Sequence, residues 1–380
     1  MAFAQSSPLA TAVEAAWARS VQSVSAEGQL ALAGAHRQAA DALWAAPPSL
    51  EAAHRSDRLQ DNAGRSESEI GLAWPLLLPG QRSARQAAAS ADRDSAEASL
   101  AAARLRIAGE VREAAWAVVA RRGEASVAAQ DAQNLQALAT DVERRVAAGD
   151  LARADFLAAQ AEFLSASAQA AQARQRLDAA TAHWKMLTGL PDIPDPSEIG
   201  ARAGTTHPEL VLASLGTALA RAKLELVRAT GSDAPELAVR YRRETAASGL
   251  PPDNTVGLAI RIPLGTFDRN LPREKAALAE LEVALAEERR QRLRLESEAA
   301  TAQAALAVAG EQLRAEERRA ELLRERATLI EKSFRAGETP LPELLRARLA
   351  STQAQSALAA QRAALGLALA RLNQINGQLP

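Results

Sequence analysis

The sequence predicts a mainly α-helical protein with a small β part, built from long coiled-coil helices and an internal two-fold repeat. Only 3% of the 380 residues are aromatic and alanine is abundant, a composition typical of coiled coils, whose seams use small and aliphatic side chains. Residues 81–148 contain no proline and only two glycines, which predicts one very long helix. A glycine turn follows at Gly149 and recurs 188 positions later at Gly337, about half the chain away.

Composition excludes several classes of protein and site. The formal net charge of −1 gives little support for a nucleic-acid surface. The chain has no cysteine, which excludes a disulfide framework, a thiolate metal site, a cysteine nucleophile and a lipid-bearing N-terminal cysteine for the chain as given. It has no apolar run of about 18 residues, as a transmembrane helix would need.

The N-terminus resembles the end of a secretion signal. Ala2-Phe3-Ala4 followed by Gln5-Ser6 fits the small-x-small pattern before a signal-peptidase cut. We therefore expect an exported protein whose signal peptide has been removed and replaced by Met1. A frayed N-terminus that happens to hold two alanines is the alternative.

In the first half of the chain, apolar residues recur with the spacing of a helix in some stretches and with the spacing of a strand in others. Ile70, Leu72 and Trp74 alternate with small residues, the period of two that indicates a strand with one apolar face. At about 1.5 Å per residue the helix after this strand would be on the order of 100 Å long, so it needs partner helices along its length. The predicted elements are a helix over Pro8–Trp44, an extended segment over Ser49–Arg58, a strand over Glu69–Leu78, a helix over Gln81–Ala148 and a returning helix over Leu151–Thr188.

The second half repeats this order. Gly71 corresponds to Gly257 and Gly189 to Gly377, at offsets of 186 and 188 residues, so the register drifts by only two residues. We therefore predict a first repeat over 1–188, a linker over 189–206 and a second repeat over 207–380. Its predicted elements are a helix over His207–Thr230, strands over Leu237–Arg242 and Val256–Leu264, a helix over Arg273–Ala336 and a returning helix over Leu341–Asn376.

Four strands per chain cannot close a barrel that holds a channel, and their edges would stay exposed. Three chains would supply twelve strands, and the alternation of apolar with small or charged residues is that of a membrane barrel with a wet lumen. Arg240, Arg242 and Arg261 would then face the lumen. The helices would form a coiled-coil tube around the same threefold axis. A soluble coiled-coil scaffold with small hairpins is the alternative, and it gains support from the low aromatic content.

Several stretches resemble the TolC family of bacterial outer-membrane efflux channels. They are GLAWPLLLPGQRSARQAA, its counterpart GLAIRIPLGTFDRNLPREKAA, the WKMLTGLP end of the first half, and the two turn motifs over Val146–Glu162 and Phe334–Ala350. The chain is most similar to the CzcC-like branch, which serves heavy-metal exporters of the resistance-nodulation-division type. The resemblance implies a homotrimer with its barrel in outer-membrane lipid and its tunnel in the periplasm, docked through a periplasmic adaptor on an inner-membrane pump.

The resemblance also implies roles for the two tips. The family's acidic position falls on Asp155 and Glu343, so that three copies of each would form carboxylate rings that attract cations. A second family acid is replaced by Arg346, which would pair with an acid of a neighbouring helix and hold the closed state. The alternative for both acids is a first-turn carboxylate that stabilises the helix dipole.

The residues around the two turn glycines are the candidate adaptor-docking residues. Gly149 and Gly337 are expected in the left-handed conformation at a helix end, and core packing is the alternative for the apolar members. The set is Val146, Ala147, Gly149, Asp150, Leu151, Phe334, Ala336, Gly337, Glu338 and Leu341.

No catalytic or cofactor-binding pattern is present, so we expect a passive exit duct rather than an enzyme. The four histidines have no ligand spacing, and we expect no metal site even if the exported substrate is a metal. A duct for type I secretion or for drug efflux remains open alongside heavy-metal export.

Overall fold

The computed structural model describes residues 8–200, 206–264 and 267–380. The expected signal-peptide remnant at residues 2–6 and part of the predicted linker lie outside these ranges, as does the side chain of Phe267. The elements in chain order are α1 (Pro8–Arg19), α2 (Val21–Ala40), β1 (Ser49–Ser56), β2 (Ser66–Pro75), α3 (Gln81–Ala148), α4 (Arg153–Thr188), α5 (Pro208–Ala229), β3 (Glu236–Thr245), β4 (Asp253–Arg261), α6 (Phe267–Arg335) and α7 (Leu341–Ile375).

The two-fold repeat is confirmed in the order of elements. Each half has helical segments, then two strands, one very long helix and a returning helix. The helix α3 has the predicted bounds. The two long helices contain 68 and 69 residues.

The first predicted helix is interrupted, which corrects the expectation of one helix over Pro8–Trp44. It breaks at Ser20, whose hydroxyl oxygen accepts a hydrogen bond from the Ser23 N–H at 3.1 Å. This is the bond of an N-cap serine, and it starts a new helix at Val21. The second segment ends at Ala40, before the two prolines that were expected to stop it.

Several further boundaries differ from the predicted ones. Both β2 and β4 begin and end three residues earlier than predicted. The prediction followed the apolar side chains, whereas strand pairing extends into the polar residues next to the loops, where Arg242 and Glu67 form an ion pair. The helix α6 begins at Phe267 and includes Pro272, so the predicted start at Arg273 was wrong. The hydrogen bond that Pro272 cannot donate would go to the Asp268 carbonyl, in the first turn of the helix and not in its interior.

The four strands form one antiparallel sheet in the order β1-β2-β3-β4. Gly71 pairs with Arg240, and Arg240 pairs with Gly257. Since alternate side chains point to opposite faces, this register divides the sheet into an apolar face and a polar face. The apolar face carries Leu50, Ile70, Leu72, Trp74, Leu237, Val239, Tyr241, Val256, Leu258 and Ile260.

The described chain divides into two compact units, and each takes segments from both sequence repeats. The first unit comprises 1–24, 101–208 and 292–380, and the second comprises 25–100 and 209–291. The first unit is helical, and one of its apolar cores lies beside the two turn glycines. The second contains the sheet. Among the described residues, no helix combines the length and the hydropathy of a membrane span.

Candidate functional site

The turns at Gly149 and Gly337 have the same backbone structure. Their φ angles are 89° and 79°, so the predicted left-handed conformation is confirmed. The N–H of Asp150 donates to the carbonyl of Arg145 at 2.8 Å, and the N–H of Glu338 donates to the carbonyl of Ser333 at 3.0 Å. A bond across five residues next to a left-handed glycine is the Schellman motif, which satisfies the last carbonyls of a helix. Both long helices therefore end in one type of turn.

The acids that follow the two turns are held differently. The Asp155 carboxylate accepts a hydrogen bond from the Ala152 N–H at 3.2 Å, and the Asp155 N–H donates to the Ala152 carbonyl at 3.0 Å. Asp155 therefore satisfies an otherwise unpaired amide at the start of α4. This is the structural role that the sequence left open as an alternative.

Glu343 is an ion-pair centre in the second hairpin. Its carboxylate lies 2.8 Å from the Arg326 guanidinium on α6 and 3.0 Å from the Arg346 guanidinium on α7. Arg346 thus pairs with the acid of its own helix and not, as expected, with an acid of a neighbouring helix. The tie between helices comes from Arg326, a residue that sequence reasoning missed. No local motif marks it, because the antiparallel hairpin joins positions 17 residues apart.

Two of the predicted docking residues are core residues in this chain. Phe334 and Leu341 are 3% and 1% exposed and pack with the apolar side chains of four helices, while Val146 and Leu151 lie half-buried against the same core. The core comprises Leu135, Leu138, Ala139, Val142, Ala159, Ala166, Phe334, Leu341 and Leu344. The side chains of Phe334 and Leu341 are therefore unavailable to a partner.

The other docking candidates lie on the surface around the turns. They are small or acidic, and their side chains leave the backbone of both turns accessible. This exposed group is Ala147, Gly149, Asp150, Ala336, Gly337 and Glu338.

The predicted lumen arginines share the polar face of the sheet, as the register requires. Each one is paired with acids: Arg242 lies 3.1 Å from Glu67 and 2.9 Å from Glu244. Carboxylates from β3 itself and from the neighbouring strands outnumber the arginines on this face. The charged residues of this face are Glu51, Arg55, Glu67, Glu69, Glu236, Arg240, Arg242, Glu244, Asp253 and Arg261.

The ion pairs of the polar face run across strands. Arg240 lies 3.6 Å from Glu69 on β2 and 3.8 Å from Glu51 on β1. Arg261 lies 3.4 Å from Glu236. Because opposite charges on adjacent strands stabilise pairing, these contacts favour the observed register. Within the described ranges, no group of three or more His, Cys, Asp or Glu residues is arranged to hold a metal ion.

The sequence pattern of one protein family, described as "Outer membrane efflux protein", matches residues 13–190 and again 202–378. The chain belongs to this family. The resemblance to TolC-family channels is thereby confirmed. The family is not an enzymatic one, in agreement with the prediction from the sequence.

One relative from this family supports the CzcC-like assignment. The cobalt-zinc-cadmium resistance protein CzcC of Cupriavidus metallidurans is 30% identical over 208 residues, which are 52% of this chain and 49% of that protein. The matched segment thus spans about half the length of CzcC.

Two solved structures have the same fold. The CmeC outer membrane channel of Campylobacter jejuni is 13% identical, with a TM-score of 0.77 over 97% of this chain and 85% of that one. CusC, described as forming a transmembrane channel, is 17% identical, with a TM-score of 0.79 over 97% of this chain and 92% of that one. At these identities the likeness establishes the fold.

Proposed function

We propose that three copies of the chain form a passive exit duct through the bacterial outer membrane, as part of a tripartite efflux system with an inner-membrane pump and a periplasmic adaptor. The observation that carries this proposal is the apolar face of the sheet. Val256, Leu258 and Ile260 are 73%, 70% and 63% exposed in the single chain. A face of this kind is stable in contact with lipid and costly in water.

The edges of the sheet support the threefold arrangement. In the described chain β1 pairs only with β2, and β4 pairs only with β3, so both outer strands have one unpaired edge. Unpaired strand edges within lipid are costly, and closure into a barrel removes them. Pairing β4 of one copy with β1 of the next gives a closed barrel of twelve strands after three copies. Its polar face, with the three paired arginines, would line the lumen.

The tips are the proposed contact with the adaptor. Gly149 and Gly337 present backbone that a partner helix can approach closely, next to the exposed Ala147 and Ala336. In this arrangement the helical tunnel lies in the periplasm. Three copies of Asp155 and of Glu343 lie around its narrow end, and Arg346 offsets part of the Glu343 charge.

Heavy-metal cations are the proposed substrates. The support is the similarity to CzcC, a cobalt-zinc-cadmium resistance protein. A passive duct needs no metal site of its own, which fits the scattered histidines. A duct for drug efflux or for type I secretion would have the same architecture and would differ in its pump. An efflux assay is therefore needed to identify the exported substrate.

The first test is fractionation and sizing. We expect the protein in the outer-membrane fraction, extracted only with detergent, as a trimer that conducts ions in planar bilayers. Recovery as a water-soluble monomer would contradict the duct and favour the soluble scaffold. In cells, deletion of the gene is expected to raise intracellular cobalt, zinc or cadmium, and unchanged levels of all three would contradict the proposed cargo.

The second test addresses the tip acids. The double variant Asp155→Lys with Glu343→Lys is expected to lower the cation preference of single channels, because it reverses six charges at the constriction of a trimer. Asp150→Lys with Glu338→Lys is the matched control, because it reverses the same number of charges at the tips. The cation preference of single channels is compared between the two double variants. Unchanged preference in the first variant would refute the carboxylate rings while leaving the duct intact.

A further inference from the structure

A pocket of about 620 Å³ lies in the second compact unit, where the end of α2 and the second half of α5 approach the start of α3. This volume is within the range of about 300–1,000 Å³ that small-molecule sites occupy. All of its lining residues belong to one chain and to one unit. The pocket therefore does not depend on a contact with another copy.

The lining of the pocket is mostly apolar and made of small residues. Ala88 and Ala89 of α3 are 8% and 6% exposed, and they line the pocket together with Trp44 and the half-buried Leu219 and Leu226 of α5. Alanine leaves the space that a larger side chain would fill. Because burial of apolar surface is favourable, this lining fits a hydrocarbon chain better than a polar molecule.

The segment that connects α2 to β1 forms one wall, and it is held in place by α3. The Gln86 side chain donates to the Asp41 carboxylate at 2.8 Å, and the Arg85 guanidinium donates to the Ala45 carbonyl at 3.2 Å. The Ala45 N–H donates to the carbonyl of Pro75, at the end of β2, at 3.0 Å. These bonds give the wall a defined position, as expected of a binding pocket that forms before its ligand arrives.

Two cations line the pocket without a carboxylate to neutralise them. Arg85 donates to two backbone carbonyls, and neither it nor the exposed Lys223 forms an ion pair within the part of the chain that the structure describes. Asp92 also lines the pocket, but it has a partner of its own, since the His36 Nδ1 atom lies 2.8 Å from its carboxylate. Cations of this kind bind phosphate through charge-assisted hydrogen bonds. Together with the apolar lining, they match the two parts of an anionic amphiphile.

The pocket adjoins the end of the sheet. The strand β1 begins at Ser49, two residues after the lining residue Pro47. In the proposed duct the apolar face of the sheet contacts lipid and the helices lie in the periplasm, so this junction is at the level of the lipid headgroups. Trp44 is 40% exposed, and tryptophan is enriched at that level in membrane proteins.

We propose that the pocket binds an anionic phospholipid of the periplasmic leaflet, with its phosphate beside Arg85 and Lys223 and part of an acyl chain against the alanines and leucines. The membrane as the source of this lipid rests on the proposed duct. The bound lipid holds the segment that joins a helix of the tunnel to the first strand of the barrel.

Trp44 supplies a direct measurement, because bromine atoms on an acyl chain quench the fluorescence of a tryptophan that they contact. The full-length trimer, purified in detergent, is titrated with phosphatidylglycerol whose acyl chains carry bromine. We expect quenching that saturates and that Trp44→Phe largely removes. This variant keeps the backbone carbonyl to which Arg85 donates, so the wall of the pocket retains its hydrogen bonds.

Lys223→Gln tests the headgroup contact without removing a bond of the folded chain. It is expected to weaken the apparent affinity for the brominated lipid about three- to fivefold, the upper range for an exposed ion pair. Lys275→Gln is the matched control, because Lys275 is an exposed lysine of the same unit that does not line the pocket. Equal losses of affinity in the two variants would overturn the headgroup contact.

Ala39→Phe tests the space for the acyl chain. Ala39 lines the pocket and is exposed, so a larger side chain is tolerated by the fold and occupies part of the pocket. We expect it to lower the quenching that depends on Trp44. Unchanged quenching would show that the chain does not enter the pocket.

Two further ligands distinguish a lipid from a free anion. Brominated diacylglycerol has the chains without the phosphate and is expected to bind several-fold more weakly, whereas inorganic phosphate is expected to leave the quenching by phosphatidylglycerol unchanged. Equal affinity for diacylglycerol would overturn the phosphate contact. Displacement of the lipid by inorganic phosphate would overturn the lipid in favour of a free anion.

The outcomes separate this site from the proposed function. A trimer that conducts ions but shows no saturable quenching, or the same quenching in Trp44→Phe, would overturn the lipid site and leave the duct. A water-soluble monomer would overturn the duct, and the assignment to a membrane lipid with it.

Discussion

Gly149 and Gly337 occupy equivalent positions in the two repeats and have φ angles of 89° and 79°, and a side-chain carbon built on either glycine would meet no atom within 4 Å. Both positions therefore need glycine because of the positive φ angle, and not because a side chain would clash with a neighbour. The two turns are independent tests of this statement.

Gly149→Ala and Gly337→Ala are each expected to destabilise the protein by about 1–2 kcal/mol, the cost of a left-handed conformation for a residue with a side chain. Gly310→Ala is the matched control. Gly310 is inside α6, also with no atom within 4 Å, and there the same change should stabilise by about 0.5–1 kcal/mol. Thermal unfolding followed by circular dichroism measures both, and equal signs would contradict the explanation.

Arg112 ties three segments of the first compact unit together. Its side chain is 2% exposed, and its guanidinium lies 2.8 Å from Glu198. The guanidinium also donates to the Gln374 side chain at 2.6 Å and to the Gln378 carbonyl at 2.9 Å. Arg112→Met leaves the Glu198 carboxylate buried without its partner, which is expected to cost about 3–5 kcal/mol.

The control for Arg112 is a surface arginine. Arg371→Met removes an ion pair with Glu113 in which both side chains are largely exposed, and exposed pairs contribute about 0.2–1 kcal/mol. Comparable losses in the two variants, measured by thermal unfolding in detergent, would show that the burial of Arg112 has no energetic consequence.

The polar face of the sheet has more carboxylates than arginines, and the proposed lumen should respond to each charge. In water, one unit charge about 7 Å from an ion contributes roughly 0.6 kcal/mol, close to the thermal energy. Since each substitution removes three charges from a trimer, Arg240→Gln is expected to raise the cation preference of the channel by at least about two- to threefold, and Glu69→Gln to lower it by a similar factor. Reversal potentials in planar bilayers under a salt gradient measure this preference. Shifts in the same direction would place these residues away from the lumen.

Glu124 makes the stability of the first compact unit depend on pH. A side-chain hydrogen bond from Arg121, assisted by a second from Arg176, lowers the pKa of Glu124 below its ordinary value of 4.5, and burial opposes this shift. A carboxyl whose pKa is lower in the folded state stabilises the fold above its unfolded pKa, and this stabilisation is lost as the pH falls through the folded value.

Glu124→Gln should therefore be less stable than the wild type at neutral pH, and the difference should shrink as the pH falls below 4.5. Arg176→Gln is the control, since Arg121 still contacts Glu124 there at 2.7 Å, and it should keep part of the pH dependence. A difference that stays constant from pH 7 to strongly acidic solution would assign the loss to packing instead.

Sequence periodicity predicted the elements better than their ends. The bounds of α3 follow from local signals: no proline inside it and a glycine after it. The ends of β2 and β4 depend on cross-strand pairs such as Arg242 with Glu67, which local alternation does not contain. The break between α1 and α2 does have a local signal, because Ser20 is an N-cap residue that accepts a hydrogen bond from the Ser23 N–H. The prediction missed it because the apolar residues keep a helical spacing across the break.

The candidate site was predicted in position and less well in detail. Repetition of the glycine turns located both tips, since the same turn needs the same residue in each repeat. Whether a residue near a turn faces the core or the surface is set by the rotation of the helix against its neighbours, and the structure places Phe334 and Leu341 in the core. The partner of Glu343 was also missed, because Arg326 becomes its neighbour only when the hairpin forms.

The sequence by itself determined the class of fold, the two-fold repeat and the two turns, because helix length, strand alternation and left-handed glycines are properties of consecutive residues. Tertiary structure decided which charges meet and which apolar faces stay uncovered. Arg240 neutralises carboxylates from two other strands, and Leu164 and Leu322 stay exposed. Both facts depend on which elements pack side by side, and that is fixed by the burial of the whole chain and not by any single segment.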